Sequence, residues 1–241
     1  MLDKPAGLSS NRALQRLRNG WQARKCGHTG SLDPLATGML PICFGDATRF
    51  SHFLLDASKA YRVEAQLGEQ SSTGDAEGEI VATAAVPPLT KEDWQAVAAN
   101  FTGVIQQVPP MYSALKVDGK RLYELARKGQ IVARKARTIE IYALDVISVA
   151  ADRLVVEVEC SKGTYIRSLV EDLAVAAGTL AWTRKLHRRW VAPFRSAMHS
   201  LEDLLEHGPD VFLLPPDTAL EDWPAMPLDS DSALSFCAGR P

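Results

Sequence analysis

The chain has 241 residues, of which 46% are hydrophobic and 23% are charged, and its formal net charge is −2 at pH 7. This length and apolar fraction predict one large globular domain or slightly more, with a sizeable core. We expect no membrane span, because no apolar run approaches the roughly 20 residues that cross a bilayer. We expect no signal sequence either, because the first residues lack a basic stretch followed by an apolar one.

The cysteine pattern argues against a zinc site or a disulfide framework. The four cysteines lie far apart in the sequence, and no two of them form a C-x-x-C pair. Proteins held together by zinc or by disulfides usually show closely spaced cysteines. The sequence therefore predicts a protein of the reducing cytoplasm with no bound metal.

Charge is distributed unevenly along the chain. Residues 201–241 hold nine acidic residues and one basic residue, so residues 1–200 carry a net charge of +6. Eight basic residues face two acidic ones over residues 112–137, and four more surround His187 over residues 184–189. Charge runs are often only solvated surface, but two clusters on a near-neutral chain predict a surface that binds phosphates.

The first elements in chain order are a helix, a buried strand and a second helix. Ser9 or Ser10 is suited to cap a helix that ends at Gly20. Residues 39–44 are predicted to form one buried strand, and Asp46 to cap the helix that follows it.

Residues 61–67 alternate between apolar and polar side chains, which is the period of a strand with one buried face. Tyr61 lies on the apolar face of this strand. It serves either the core or a pocket, and the pattern alone leaves both open.

The later elements alternate between helices and strands. They are a helix capped by Thr90 and Asp93 and ended by Gly103, strands over 139–149 and 154–160, and a helix over 166–177 followed by Gly178. Single helices between short strands, joined by both hairpins and crossovers, predict an α+β fold with a mixed sheet.

The most informative segment runs from Gly27 to Gly38. Pro34 disfavours the helical conformation for Asp33 and stiffens the loop, while Gly30 and Gly38 allow backbone angles that other residues resist. An isolated Asp-Pro is usually only a turn. Here the stiff loop holds one carboxylate in a fixed direction, five residues after His28.

This segment resembles the catalytic loop of the TruB family of tRNA pseudouridine synthases, G-H-x-G-x-L-D-P-x-A-T-G-x-L-P. The match continues through Leu40 and Pro41. Further segments that resemble the family, in the same order along the chain, are Asp3–Ser10, Lys59–Arg62, Pro110–Lys116 and Ser161–Leu169. The resemblance extends from Leu2 to about Leu204.

The resemblance implies a fold and a domain organisation. The fold is a mixed, largely antiparallel central sheet flanked by helices, with a thumb-like insertion over about residues 108–137. Residues 1–200 are expected to form the catalytic domain. Residues 201–241 are expected to form an acidic segment that ends near the start of a PUA-like domain, which this chain lacks.

The resemblance also implies a reaction, the isomerisation of one uridine to pseudouridine in the T-loop of tRNA. Asp33 is the nucleophile or base, Arg167 pairs with it and keeps it ionised, and Tyr61 lies against the target base as a candidate general base. The substrate-binding residues that it implies are His28, which fills the space left by the flipped base, Tyr165 and Leu186 against the uracil, and Lys59 on an RNA phosphate. No cofactor, membrane or obligate protein partner is expected, and the protein is expected to be a monomer.

Two other functions stay open at this stage. The chain could be a tRNA-binding or tRNA-folding module whose catalytic loop is vestigial, or a guide-RNA-dependent relative. One departure from the family pattern concerns the tRNA contacts, because His187 stands where relatives often have an arginine.

Overall fold

The structure is a computed structural model and describes residues 1–117, 119–195 and 197–239. Its strands are β1 (Leu2–Lys4), β2 (Cys26–His28), β3 (Thr37–Leu40), β4 (Ile42–Phe44), β5 (Lys59–Leu67), β6 (Glu69–Ser71), β7 (Ile80–Thr83), β8 (Gly103–Gln107), β9 (Lys116–Val117), β10 (Lys120–Arg121), β11 (Arg137–Ala150), β12 (Arg153–Cys160) and β13 (Ala181–Val191). Its α-helices are α1 (Ser10–Gly20), α2 (Ser51–Asp56), α3 (Lys91–Ala99), α4 (Leu122–Ala126), α5 (Ile166–Ala176), α6 (Leu201–His207), α7 (Pro209–Phe212) and α8 (Ser230–Cys237). Two 3₁₀ helices span Gly45–Phe50 and Pro216–Leu220.

Seven strands form the central sheet in the order β1-β3-β13-β5-β12-β11-β8. Neighbouring strands in this sheet are antiparallel, except for β3 and β13, which are parallel and bring Gly38 opposite Arg188. Helices α3 and α5 cover one face of the sheet, and their apolar residues join those of β5, β11 and β12 in the largest core cluster. The predicted mixed, largely antiparallel sheet flanked by helices is confirmed.

The strand and helix patterns of the sequence correspond closely to this core. Every second residue of β5 from Tyr61 to Leu67 is buried, as the alternation predicts. Helix α1 begins after Ser9, whose hydroxyl accepts a hydrogen bond from the backbone N–H of Arg12 at 3.2 Å. Helix α3 begins at a reciprocal capping box between Thr90 and Asp93. These caps and the alternation of β5 agree with the positions that the sequence predicts for these elements.

The prediction for residues 39–44 is wrong in detail. The single buried strand is two strands, β3 and β4, that separate at Pro41 and pair with different partners. Proline has no N–H for a continuous ladder, which explains the break. Asp46 does not cap a helix, because it lies inside the 3₁₀ turn and the N-cap position is occupied by Phe44.

Between β8 and β11 the chain leaves the sheet. Strands β9 and β10 pair as a small antiparallel hairpin, and α4 follows directly. Backbone N–H groups of Leu122 and Tyr123 donate to the carbonyls of Leu115 and Ser113, at 2.8 and 3.1 Å. These bonds hold α4 against the stretch that leads into the hairpin.

Candidate active site

Arg188 anchors the loop from Gly27 to Gly38 to strand β13. Its guanidinium is buried and donates to the carbonyl of Met39 at 2.7 Å and to that of Gly30 at 3.0 Å. Gly38 has φ +99°, and a Cβ at that position would lie 2.2 Å from the backbone carbonyl oxygen of Arg188. Only glycine fits so close to the neighbouring strand, so the loop has little freedom.

The N-terminal segment holds the other side of this loop. The hydroxyl of Ser10 accepts a hydrogen bond from the N–H of Leu32 at 2.8 Å and lies 3.1 Å from the carbonyl of the same residue. The buried ammonium of Lys4 donates to the carbonyls of Leu8 and Pro34, at 2.6 and 3.3 Å. Asp33 therefore lies between two residues whose backbones are fixed by hydrogen bonds.

Arg167 in the first turn of α5 lies between two carboxylates. Its Nη2 is 3.0 Å from Oδ2 of Asp33, and its Nη1 is 3.3 Å from Oδ2 of Asp75. The same two nitrogens donate to the carbonyls of Tyr112 and Thr73, at 2.6 and 2.7 Å. The side chain of Asp33 is 42% exposed, whereas that of Asp75 is 4% exposed. Asp33 is thus the carboxylate of this network that a substrate can reach.

The charge state of Asp33 reflects opposing influences. Burial raises the pKa of its carboxyl group, and the nearby Asp75 adds to this shift. Arg167 and Lys4 oppose the shift because each favours the anion. The net direction is upward, and Arg167 limits the increase that desolvation causes by favouring the anion.

A cavity of about 190 Å³ opens beside Asp33 and contains most of the predicted site. Tyr61, Tyr165 and Leu186 line it together with Asp33 and Arg167. Tyr61 and Leu186 come from the neighbouring strands β5 and β13, where Arg188 is opposite Tyr61 and Leu186 is opposite Val63, so the two residues are diagonal neighbours. Burial raises the pKa of both phenols, so each remains a neutral hydroxyl near pH 7. The structure therefore brings together residues that are as many as 153 positions apart in the sequence.

His28 lies in a larger neighbouring cavity of about 430 Å³, which also reaches Asp33 and Arg167. Its Nδ1 is buried without a hydrogen-bond partner among the described residues. Burial and the nearby Arg188 lower the pKa of its ring, which favours the neutral form. His28, which lies in the loop that also contains Asp33, thus presents an uncharged ring at the wall of the larger cavity.

Lys59 is not on the surface, where the prediction of a phosphate contact would place it. Its side chain is buried, and its ammonium donates to the carbonyls of Ala57 and Leu55 at 2.5 and 3.1 Å. Burial, with repulsion from Arg188, lowers its pKa to about 8. In this arrangement Lys59 closes the end of α2 against β5, and a phosphate contact would require it to leave those carbonyls.

The two basic clusters of the sequence differ in the structure. Over residues 184–189, Arg184 and Lys185 pair with Glu64, Arg189 pairs with Glu157, and Arg188 is buried. Two carboxylates therefore offset part of the charge of this cluster, and Glu157 is shared with Arg62.

The basic residues of 112–137 form no salt bridge with an acidic residue in the described part of the chain. Arg121 donates to the hydroxyl of Tyr123 at 3.0 Å, and Arg127 lies over the same ring at 5.5 Å. A further basic surface lies on α1 and the loop after it, where five basic residues are exposed: Arg12, Arg16, Arg18, Arg24 and Lys25. Arg121 and Arg127 line the larger cavity, which the first residues of α1 also border.

Two charged residues of the site were missed from the sequence. Asp75 follows a serine- and threonine-rich turn, and Thr73 donates to its Oδ1 at 2.6 Å, but nothing in the sequence singles it out. Arg188 could have been found, because the alternation of β13 places it on the buried face with Leu186 and Trp190. A buried arginine on a strand predicts a specific partner.

The described residues contain no group of three His, Cys, Asp or Glu side chains that could hold a metal ion. No helix there is long and apolar enough to cross a bilayer.

An exposed, arginine-bound carboxylate beside two phenols in a cleft is the arrangement of an enzyme. The sequence model of the family "TruB family pseudouridylate synthase (N terminal domain)" matches residues 18–166, and the chain belongs to this family. It is 51% identical over 246 residues to a tRNA pseudouridine synthase B from Neisseria meningitidis serogroup B. It is 48% identical over 244 residues to the protein of that name from Chromohalobacter salexigens. Both alignments cover 100% of this chain and 80% of the relative.

A solved structure of a Cbf5-Nop10-Gar1 complex contains a chain with the same fold. It superposes with a TM-score of 0.72 at 27% identity, over 91% of this chain and 60% of the other. The predicted family and fold are thus confirmed by both comparisons.

Proposed function

We propose that this protein is a tRNA pseudouridine synthase that isomerises one uridine in the T-loop without a cofactor. Membership of the family and the names of the close relatives support this reaction and substrate. The observation that carries the proposal is the ion pair between Asp33 and Arg167, whose carboxylate faces a cavity lined by Tyr61, Tyr165 and Leu186.

The proposed reaction rearranges bonds within one nucleotide. The bond between N1 and C1′ breaks, the base turns, and a bond forms between C5 and C1′. The proton lost from C5 is balanced by the proton gained at N1, so the step needs no oxidant or second substrate. Asp33 acts as the nucleophile or base on the uridine.

The acidic residues near the cavity favour isomerisation over hydrolysis. Glycoside hydrolysis generally uses two carboxylates that flank the bond. Among the described residues, Asp33 is the one acidic residue that lines the smaller cavity. Asp75 and Glu77 line the larger cavity but not this one, and Asp75 is bound to Arg167.

The uridine must leave its stack before Asp33 can reach it, which costs a few kcal/mol. Tyr61 and Leu186 offer apolar surfaces on which the flipped base packs, and Tyr165 supports it from the first residue before α5. His28, neutral at the wall of the larger cavity, takes the place that the base leaves in the RNA. The raised pKa of Tyr61 keeps its phenol neutral, which makes packing against the base a better role for it than that of a general base at the sugar.

Residues 1–200 form the catalytic unit in this proposal, and residues 108–137 close over the T-arm as an insertion. The unpaired cations of 112–137 and the basic surface of α1 bind the RNA phosphates. The protein works as a monomer in the cytoplasm, without an obligate protein partner.

The test is to map pseudouridine by mass spectrometry in a tRNA transcript incubated with the purified chain. We expect product with the wild type and none with Asp33→Asn, while tRNA binding is retained. Asp145→Asn removes an exposed carboxylate on β11 and serves as the matched control with unchanged activity. Product formation by Asp33→Asn at the wild-type rate would contradict the proposed role.

The same transcript separates the alternatives. A protein that anneals tRNA but forms no product would be a folding module. A protein that forms product only when a guide RNA is added would be a guide-dependent relative.

A further inference from the structure

Ser113 places a hydroxyl group between the two cavities of the site. The residue is 5% exposed, and its Oγ has no hydrogen-bond partner among the described residues. It lines the smaller and the larger cavity, as do Asp33 and Arg167. A buried polar group that is left unpaired reduces stability, so a hydroxyl retained there calls for an explanation.

The backbone around Ser113 is held without any help from this hydroxyl. Its carbonyl accepts from the N–H of Tyr123 in α4 at 3.1 Å. The carbonyl of the preceding Tyr112 accepts from Arg167 at 2.6 Å. The phenol of Tyr165 is close enough for a weak interaction with this hydroxyl that lowers the phenol's pKa, although the pair lacks the geometry of an ordinary hydrogen bond. The hydroxyl therefore has no ordinary hydrogen bond to the described residues and can bind a ligand group.

We propose that Ser113 Oγ hydrogen-bonds a polar edge of the flipped uracil base, an inference that rests on the proposed function. The base has two carbonyl oxygens and an N–H, and a serine hydroxyl can donate to the former or accept from the latter. Leu186 and Tyr61 contact the faces of the ring and leave its edges unpaired. Once N1 has separated from C1′, such contacts are what keep the free base oriented.

Ser113 belongs to the segment that leads into the β9–β10 hairpin, so its contact with the base depends on where this segment lies. Arg167 bonds to Tyr112 on one side and to Asp33 on the other. The hydroxyl therefore reaches the base only when this segment is docked on Arg167. Binding of the base and docking of the insertion thus favour each other.

The test compares Ser113→Ala and Ser113→Cys with the wild type and with Thr179→Val. Thr179 has a buried hydroxyl that is likewise unpaired among the described residues, but it lies past the opposite end of α5 from Arg167. Single-turnover pseudouridine formation, tRNA affinity and the melting temperature are measured for each protein. We expect Ser113→Ala to be about tenfold slower, the loss that corresponds to one hydrogen bond.

The melting temperature separates a substrate contact from a structural role. Ser113→Ala should melt no lower than the wild type, because it removes an unpaired polar group, and Thr179→Val should keep the wild-type rate. Ser113→Cys keeps the shape of the side chain, but its thiol is a weaker hydrogen-bond donor than a hydroxyl, so this variant should also be slower. It replaces the alanine variant if that variant fails to fold. A rate within twofold of the wild type, or a loss of rate matched by a lower melting temperature, would overturn the inference. A wild-type chain that forms no product would instead reject the proposed function.

Discussion

The close approach of Gly38 to β13 yields a prediction for Gly38→Ala. The added Cβ would lie 2.2 Å from the carbonyl oxygen and 2.8 Å from the nitrogen of Arg188. Both atoms belong to the backbone of a central strand, so they can move only if β3 separates from β13. A positive φ costs a residue with a side chain about 1–2 kcal/mol, and overpacking costs about 1–3 kcal/mol more. We expect a loss of about 2–5 kcal/mol in the free energy of unfolding.

Gly178→Ala provides the matched control. Gly178 follows α5 with φ +80°, but no atom lies within 4 Å of the position that a Cβ would occupy. Its substitution should cost only the backbone component, about 1–2 kcal/mol. Urea denaturation followed by circular dichroism measures both variants. If Gly38→Ala loses no more stability than Gly178→Ala, the contact with Arg188 does not anchor the loop.

Two further predictions concern the carboxyl groups around Arg167. Burial and the neighbouring Asp172 raise the pKa of Glu171 to about 7, against 4.5 ordinarily, so the fold disfavours its ionised form and loses stability as pH rises between those values. Glu171→Gln should therefore raise the free energy of unfolding relative to the wild type, by about 1–2 kcal/mol more at about pH 8 than at about pH 5 after a discount for partial exposure. Urea titrations at both pH values measure this difference, and an equal effect at both would contradict the prediction. The pKa of Asp33, followed by NMR at its carboxyl carbon, should lie above that of a free aspartate, and Arg167→Met should raise it further. A pKa below the free value would show that burial does not outweigh the nearby cations.

The parts of the fold that follow from local patterns could be predicted from the sequence. The alternation of β5, the apolar stripe of α5 and the capping box of α3 depend on neighbours within a few residues. Strand β13 shows such a pattern only in part, because bulges between Thr183 and Lys185 and between Arg188 and Trp190 interrupt its period. Its parallel pairing with β3 joins segments about 150 residues apart, which local patterns do not encode.

The site shows the same division. The stiff loop around Asp33 is visible in the sequence because glycine and proline determine its backbone. The partnership of Asp33 with Arg167 came from the family resemblance, since 134 positions separate the two residues. Lys59 looks like a surface cation in the sequence, and only packing reveals that its ammonium binds backbone carbonyls.

The two carboxylates on Arg167 have different freedom, and this difference suits Asp33 to the role that we propose for it. Asp75 is almost fully buried and accepts from Thr73 and from the N–H of Glu77 at 2.6 and 3.0 Å, so it is held in place. Asp33 is 42% exposed and can swing into the cavity. A buried guanidinium that lost every anionic partner would cost several kcal/mol. Because Asp75 remains bound, the reaction that we propose lets Asp33 leave the arginine without leaving a buried charge uncompensated.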